Sequence, residues 1–143
     1  MTEMLTRPVD AAAATGTVAT GTVEILDGRT WTRVCAFEEL IPGRGVAVLS
    51  ESGQQVAVFR DRSGALFAVD NLCPFSGAYV VSRGILGSRD GVPTVSSPMY
   101  KHVFDLRDGR CLDEETAPDG RPAVLRVWSV RLSPRHNTSA GDR

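Results

Sequence analysis

The side chains able to bind a metal, move a proton or attack a substrate are few in this chain, and their spacing is informative mainly by what it fails to form. Three cysteines, Cys35, Cys73 and Cys111, and two histidines, His102 and His136, are its soft and borderline donors. The cysteines are odd in number, dispersed and without a Cys-x-x-Cys pair, so neither a disulfide framework nor a zinc ribbon is indicated. They read as reduced thiols. Cys73 opens the loop Cys73-Pro74-Phe75-Ser76-Gly77, and a second proline-bearing loop runs Ser97-Pro98-Met99-Tyr100-Lys101-His102. By itself Cys73 reads as a small, semi-buried thiol beside a proline turn. His102 has Met99 three residues before it, a poor ligand for ferric iron, and reads as a strand residue near the surface. His136 lies in a polar terminal stretch. A composite site of Cys73, Cys111 and His102 lacks ligand spacing. The carboxylates Glu38-Glu39, Asp105, Asp108 and Asp113-Glu114-Glu115 read as solvated groups of turns and loops, since nothing pairs them across a cleft. Ser97 with His102 lacks a third group to orient the imidazole. Gly43-Arg44-Gly45 lacks the strand–loop–helix setting of a phosphate cradle. No catalytic residue and no metal site is expected.

The elements that must position these loops belong to one domain, because 143 residues suit a single sizeable core. The formal charge is −1, with Lys and Arg scattered among Asp and Glu, so the basic stripe of a nucleic-acid binder is missing. No apolar run approaches the roughly 20 residues that span a bilayer, and the N-terminus lacks the basic-then-apolar order of a secretory signal. A cytoplasmic protein is expected. Residues 1–28 are mostly Ala, Thr, Gly and Val and should form a disordered tail. Residues 133–143 should form a flexible one, leaving 29–132 as the folded unit.

Inside that unit, short apolar runs alternate with turn signals. Trp31 to Phe37 reads as the first strand, and Glu38 to Ile41 as one helical turn stopped by Pro42-Gly43. Val46 to Leu49, Val56 to Phe59 and Ala65 to Val69 read as two successive hairpins about Ser52-Gly53 and Ser63-Gly64. Lys101 to Leu106 and Cys111-Leu112 flank a hairpin turn at Asp108-Gly109, and Val124 to Leu132 is the closing strand. Between Asn71 and Thr94 the glycines and prolines predict loop. The fold class is all-β, a sandwich or barrel.

Five segments carry a resemblance. They are Trp31-Thr32-Arg33-Val34-Cys35, Leu40-Ile41-Pro42-Gly43-Arg44-Gly45-Val46, Val69-Asp70-Asn71-Leu72-Cys73-Pro74-Phe75-Ser76-Gly77-Ala78, Val81-Ser82-Arg83-Gly84-Ile85-Leu86-Gly87 and Phe104-Asp105-Leu106-Arg107-Asp108-Gly109-Arg110-Cys111-Leu112-Asp113. Across nearly the whole folded unit the chain resembles the Rieske superfamily. Within it, the Ser-Arg-Gly-Ile segment and the Gly-Arg-Cys-Leu-Asp ending resemble the small subunits of cytoplasmic NAD(P)H-dependent nitrite reductases more than oxygenase ferredoxins. The resemblance implies a Rieske-type β-sandwich with a small subdomain inserted at about 73–106, whose two loops clamp a [2Fe-2S] cluster. Such a cluster needs Cys-x-His and Cys-x-x-His. Here the four positions hold Cys73, Phe75, Ser97 and Tyr100, and one thiolate cannot hold two irons.

The resemblance therefore implies a chain with no cofactor of its own. It would be the partner of a large catalytic subunit bearing FAD, an iron–sulfur cluster and sirohaem, in the reduction of nitrite to ammonium during nitrate assimilation. Two aromatic rings, Phe75 and Tyr100, would fill the vacated volume. Phe75, Tyr79 and Tyr100, with Lys101 and His102 at the rim, are the expected interface. Two other readings stay open: a Rieske-type electron carrier with unexpected ligands, and a cluster-less interaction module of another redox complex.

Overall fold

A computed structural model describes residues 21–99 and 101–134. Among these the chain is all-β, with two single 3₁₀ turns, Phe37–Glu39 and Val81–Arg83, and no α-helix. Strands β1 (Thr22–Asp27), β2 (Thr30–Ala36) and β9 (Val130–Ser133) form one antiparallel sheet in the order β2-β1-β9. Strands β3 (Arg44–Leu49), β4 (Gln55–Arg60) and β5 (Leu66–Asp70) form a second, in sequence order. Strands β6 (Ile85–Arg89), β7 (Val92–Ser96) and β8 (Val103–Asp105) form a third. No described helix is long and apolar enough to cross a membrane.

The second sheet is the middle layer, and β4 explains why. Val56, Ala57, Val58 and Phe59 are an unbroken apolar run, and each has no exposed surface. Val56 and Val58 join Val23, Ile25, Phe37, Leu40, Ala68 and Trp128 in the core against the first sheet. Ala57 and Phe59 point the other way, into a core with Val69, Cys73, Val81, Val95, Phe104 and Leu125. A strand covered on both faces needs apolar residues at every position instead of every second one. Burying a Val or Phe side chain contributes about 1.5–3 kcal/mol, so this one strand supplies a large share of what holds the layers together.

Several expectations need correction. The N-terminal tail does not extend to residue 28: Thr22–Asp27 is β1, the central strand of its sheet, with Val23 and Ile25 fully buried. Its Thr-Val-Glu-Ile alternation has the period of a half-buried strand, which the Ala- and Gly-rich residues before it mask at the level of composition. Residues 1–20 lie outside the described residues. Ser133 belongs to β9, so the expected C-terminal tail begins too early; residues 135–143, His136 among them, are outside the described part. The stretch from Asn71 to Thr94 is not only loop. It contains the β6–β7 hairpin, turned at Asp90-Gly91, where both residues take positive φ of 54° and 81°. Asp-Gly is a strong hairpin signal that the neighbouring glycines and prolines obscure. The closing strand is shorter than Val124 to Leu132. Residues before Val130 make single bridges, Arg110 with Val124 and Val69 with Val127, as the chain crosses from one core to the other.

Candidate functional site

Three loops, one after β5, one between β7 and β8 and one after β8, share a repeated design. In the first, the Cys73 N–H donates to the Ala78 carbonyl and the Gly77 N–H donates back to the Cys73 carbonyl, both at 2.9 Å. In the second, Ser97 donates to the His102 carbonyl and Lys101 to the Ser97 carbonyl, again at 2.9 Å. A third, Asp105 to Arg110, closes in the same way at 2.8 and 2.7 Å. The fifth residue of each has positive φ: 71° at Gly77, 60° at Lys101 and 82° at Gly109. Glycine adopts this region freely, and a lysine there is held by the surrounding bonds. Each loop turns its first side chain inward: Cys73, Ser97 and Asp105 are at most 1% exposed.

Asn71 anchors the first loop. Its Oδ1 accepts from the Ser82 N–H at 2.7 Å, while Nδ2 donates to Gln55 Oε1 at 3.0 Å and to the Tyr79 carbonyl at 3.3 Å. A buried amide so satisfied ties the neck of the loop to β4 and to the turn Val81–Arg83. The sequence signal for this residue is weak: Asn71 directly follows the strand Leu66–Asp70, and its burial shows only in the fold.

Between the loops, Ser97 Oγ donates to Cys73 Sγ at 3.5 Å. Burial pushes the Cys73 thiol up, but hydrogen bonds from the Ser76 and Ser97 hydroxyls and from the Ser76 and Phe75 amides together bring it below the ordinary thiol value. The Phe75 ring lies flat on the His102 imidazole, with centroids 3.6 Å apart and planes 1° from parallel, and meets Phe104 at a tilt, 6.1 Å away. His102 Nε2 is 3.0 Å from Glu114 Oε2. Phe75, His102 and Glu114, with Thr116, Ala117 and Pro118, line an open hollow. Asp105 is the buried carboxylate of the third loop. Burial raises its pKa, and the Arg107 guanidinium and amide outweigh this, holding it below the usual carboxylate range.

A family model for the Rieske-like [2Fe-2S] domain matches residues 30–137. The chain belongs to that family. Its relatives place it with nitrite reductase small subunits. The nitrite reductase (NADH) small subunit of Salmonella typhimurium is 42% identical over 86 residues, which cover 59% of this chain and 79% of that one. The nitrite reductase NAD(P)H large subunit of Klebsiella oxytoca is 39% identical over 108 residues, 75% of this chain but only 10% of that protein. The solution structure of the nitrite reductase NAD(P)H small subunit from Erwinia carotovora matches at 34% identity with a TM-score of 0.54, covering 73% of this chain and 83% of that one.

A Rieske-like domain implies a cluster, so the donors present must be weighed against one. Two irons are held by two thiolates and two imidazoles. Cys73 supplies a sulfur, but Ser97 supplies a hydroxyl already directed at that sulfur, and Phe75 supplies a ring face covered by His102. His102 directs Nε2 to Glu114. Tyr100 falls outside the described residues. Among the described residues no three His, Cys, Asp or Glu side chains converge as around a metal ion. The donor set among the described residues does not fit a Rieske cluster.

The expected interface residues divide. Phe75 and His102 are spent largely on each other, Lys101 is exposed, and Tyr79 is 54% exposed.

Proposed function

We propose that this chain is the non-catalytic small subunit of a cytoplasmic NAD(P)H-dependent nitrite reductase. It acts as a structural or docking partner of a large subunit that carries FAD, an iron–sulfur cluster and sirohaem and reduces nitrite to ammonium in nitrate assimilation. The observation that carries this reading is the tip itself: its loops are closed by their own hydrogen bonds, and Phe75, stacked on His102, stands at a position where an imidazole ligand would be needed. Rigid loops without an electron carrier can still present a shaped surface. The Klebsiella relative, in which a similar stretch belongs to a large-subunit chain, supports a working position beside the catalytic part.

The test is co-purification of the tagged full-length chain from cells grown on nitrate, with iron and sulfide analysis of the chain prepared alone under anaerobic conditions. The expected result is recovery of a sirohaem-containing subunit and a colourless small subunit. Failure to recover that subunit would refute the partnership, and stoichiometric iron in the isolated chain would reassign it as an electron carrier.

A further inference from the structure

The middle sheet ends at β3, and that edge is open. β3 has one neighbour, β4, and the bond from the Ser50 N–H to the Gln54 carbonyl sets the register of the pair. With hydrogen-bonding direction alternating along an antiparallel strand, Val46 and Val48 bond to β4, and Gly45, Ala47 and Leu49 direct their N–H and C=O groups outward. At Gly45 the Val81–Arg83 turn packs over the face of the strand, where a Cβ would stand 2.9 Å from the Ser82 carbonyl. At Ala47 and Leu49 no described residue takes up the outward backbone groups. The opposite edge of the sheet differs: β5 is covered by bonds from Asp70 to the Arg126 carbonyl and from Trp128 to the Ala68 carbonyl.

Apolar surface gathers at the same place. Leu49 is 69% exposed and sits opposite Gln55, whose side chain holds Asn71. Asn71 in turn holds the Tyr79 carbonyl, and the exposed Leu72 bridges Tyr79. A free strand edge beside Leu49, Leu72 and Tyr79 is the arrangement that accepts an added strand: main-chain bonds give affinity and alternate side chains give selection.

We propose that the Ala47–Leu49 edge, with Leu49, Leu72 and Tyr79 as its apolar footing, binds an extended segment of the large subunit in β-fashion. This rests on the partnership stated above. A second copy of this chain is a poorer occupant. Symmetric pairing would join only the six residues of β3 (Arg44–Leu49) in each copy, a contact well short of the roughly 800 Å² per partner of stable interfaces. A large subunit that also touches the neighbouring tip loops through Tyr79 has no such shortage.

The decisive variant is Ala47→Pro in the full-length chain. It removes an outward N–H that bonds nothing among the described residues, a substitution that edge strands tolerate. Leu49→Lys is the second variant, changing the footing without touching the backbone. Affinity for the purified large subunit is measured by titration, thermal unfolding checks the fold, and sedimentation equilibrium reports self-association. The expected result is at least a tenfold loss of affinity in both variants, with melting within a few degrees of the unaltered chain. Unchanged affinity in both variants overturns the edge and leaves the partnership standing. Absence of binding by the unaltered chain overturns both. A dimer of the unaltered chain that Ala47→Pro dissociates assigns the edge to a second copy and refutes the proposal.

Discussion

If the stacked pair at the tip is a structural filling, removing it should cost stability in a way that identifies the contact itself. Truncating a fully buried Phe costs about 3–5 kcal/mol. Phe75 is half-buried, so Phe75→Ala should cost about 2 kcal/mol, including lost contact with Phe104. His102 is 16% exposed in its side chain, and His102→Ala loses both the ring contact and the bond to Glu114, together about 1–2 kcal/mol. In a double-mutant cycle the Glu114 and Phe104 contributions cancel, leaving the ring–ring contact. A favourable aromatic pair is worth about 0.5–1.5 kcal/mol beyond its area, and independent sites add within about 0.3–0.5 kcal/mol. Urea unfolding of the four proteins at pH 7, at one protein concentration, should therefore give a coupling of about 1 kcal/mol. A coupling near zero would refute the claim that these rings fill the tip by packing on each other. Loss of partner affinity in Phe75→Ala at unchanged stability would make Phe75 a contact instead of a filler.

Asp105 gives a pH signature. Its folded pKa is depressed, so its contribution is fully present above the unfolded value of about 3.9 and is lost as pH falls through the folded value. Asp105→Asn should cost about 1–3 kcal/mol at pH 7, and urea unfolding should show the gap closing in acid. A third prediction concerns the loops that hold the altered ligand positions. The combined variant Phe75→His, Ser97→Cys and Tyr100→His restores all four ligand types, and after anaerobic reconstitution it should hold iron and sulfide and become coloured. A correctly folded variant that stays colourless would show that the loop backbone has drifted from cluster geometry.

The all-β fold was legible because β2 to β5 advertise themselves through apolar runs between Gly-marked turns. β1 was hidden by its neighbours: the Ala-, Thr- and Gly-rich sequence before Thr22 dilutes a strand whose two inward residues, Val23 and Ile25, suffice once β2 and β9 flank them. The altered ligand positions could be read directly, since Phe75 and Ser97 differ from His and Cys in donor chemistry whatever the fold. The pairing of Phe75 with His102 could not be read. It depends on two loops closing to the same design from separate stretches of chain, and one of them uses Lys101 where the other uses Gly77. Leu49 reads as a strand residue, but nothing in its run says that β3 lies at an edge, because edge and centre differ only in what comes to rest beside them.

Because β4 lends one row of side chains to each core, the two ends of the molecule share a single spine. The tip cannot soften alone without loosening strands that also grip the far wall, so its stiffness is supplied from behind and not by any crosslink at the front. A scaffold braced in this manner can shed an inorganic staple and keep its outline.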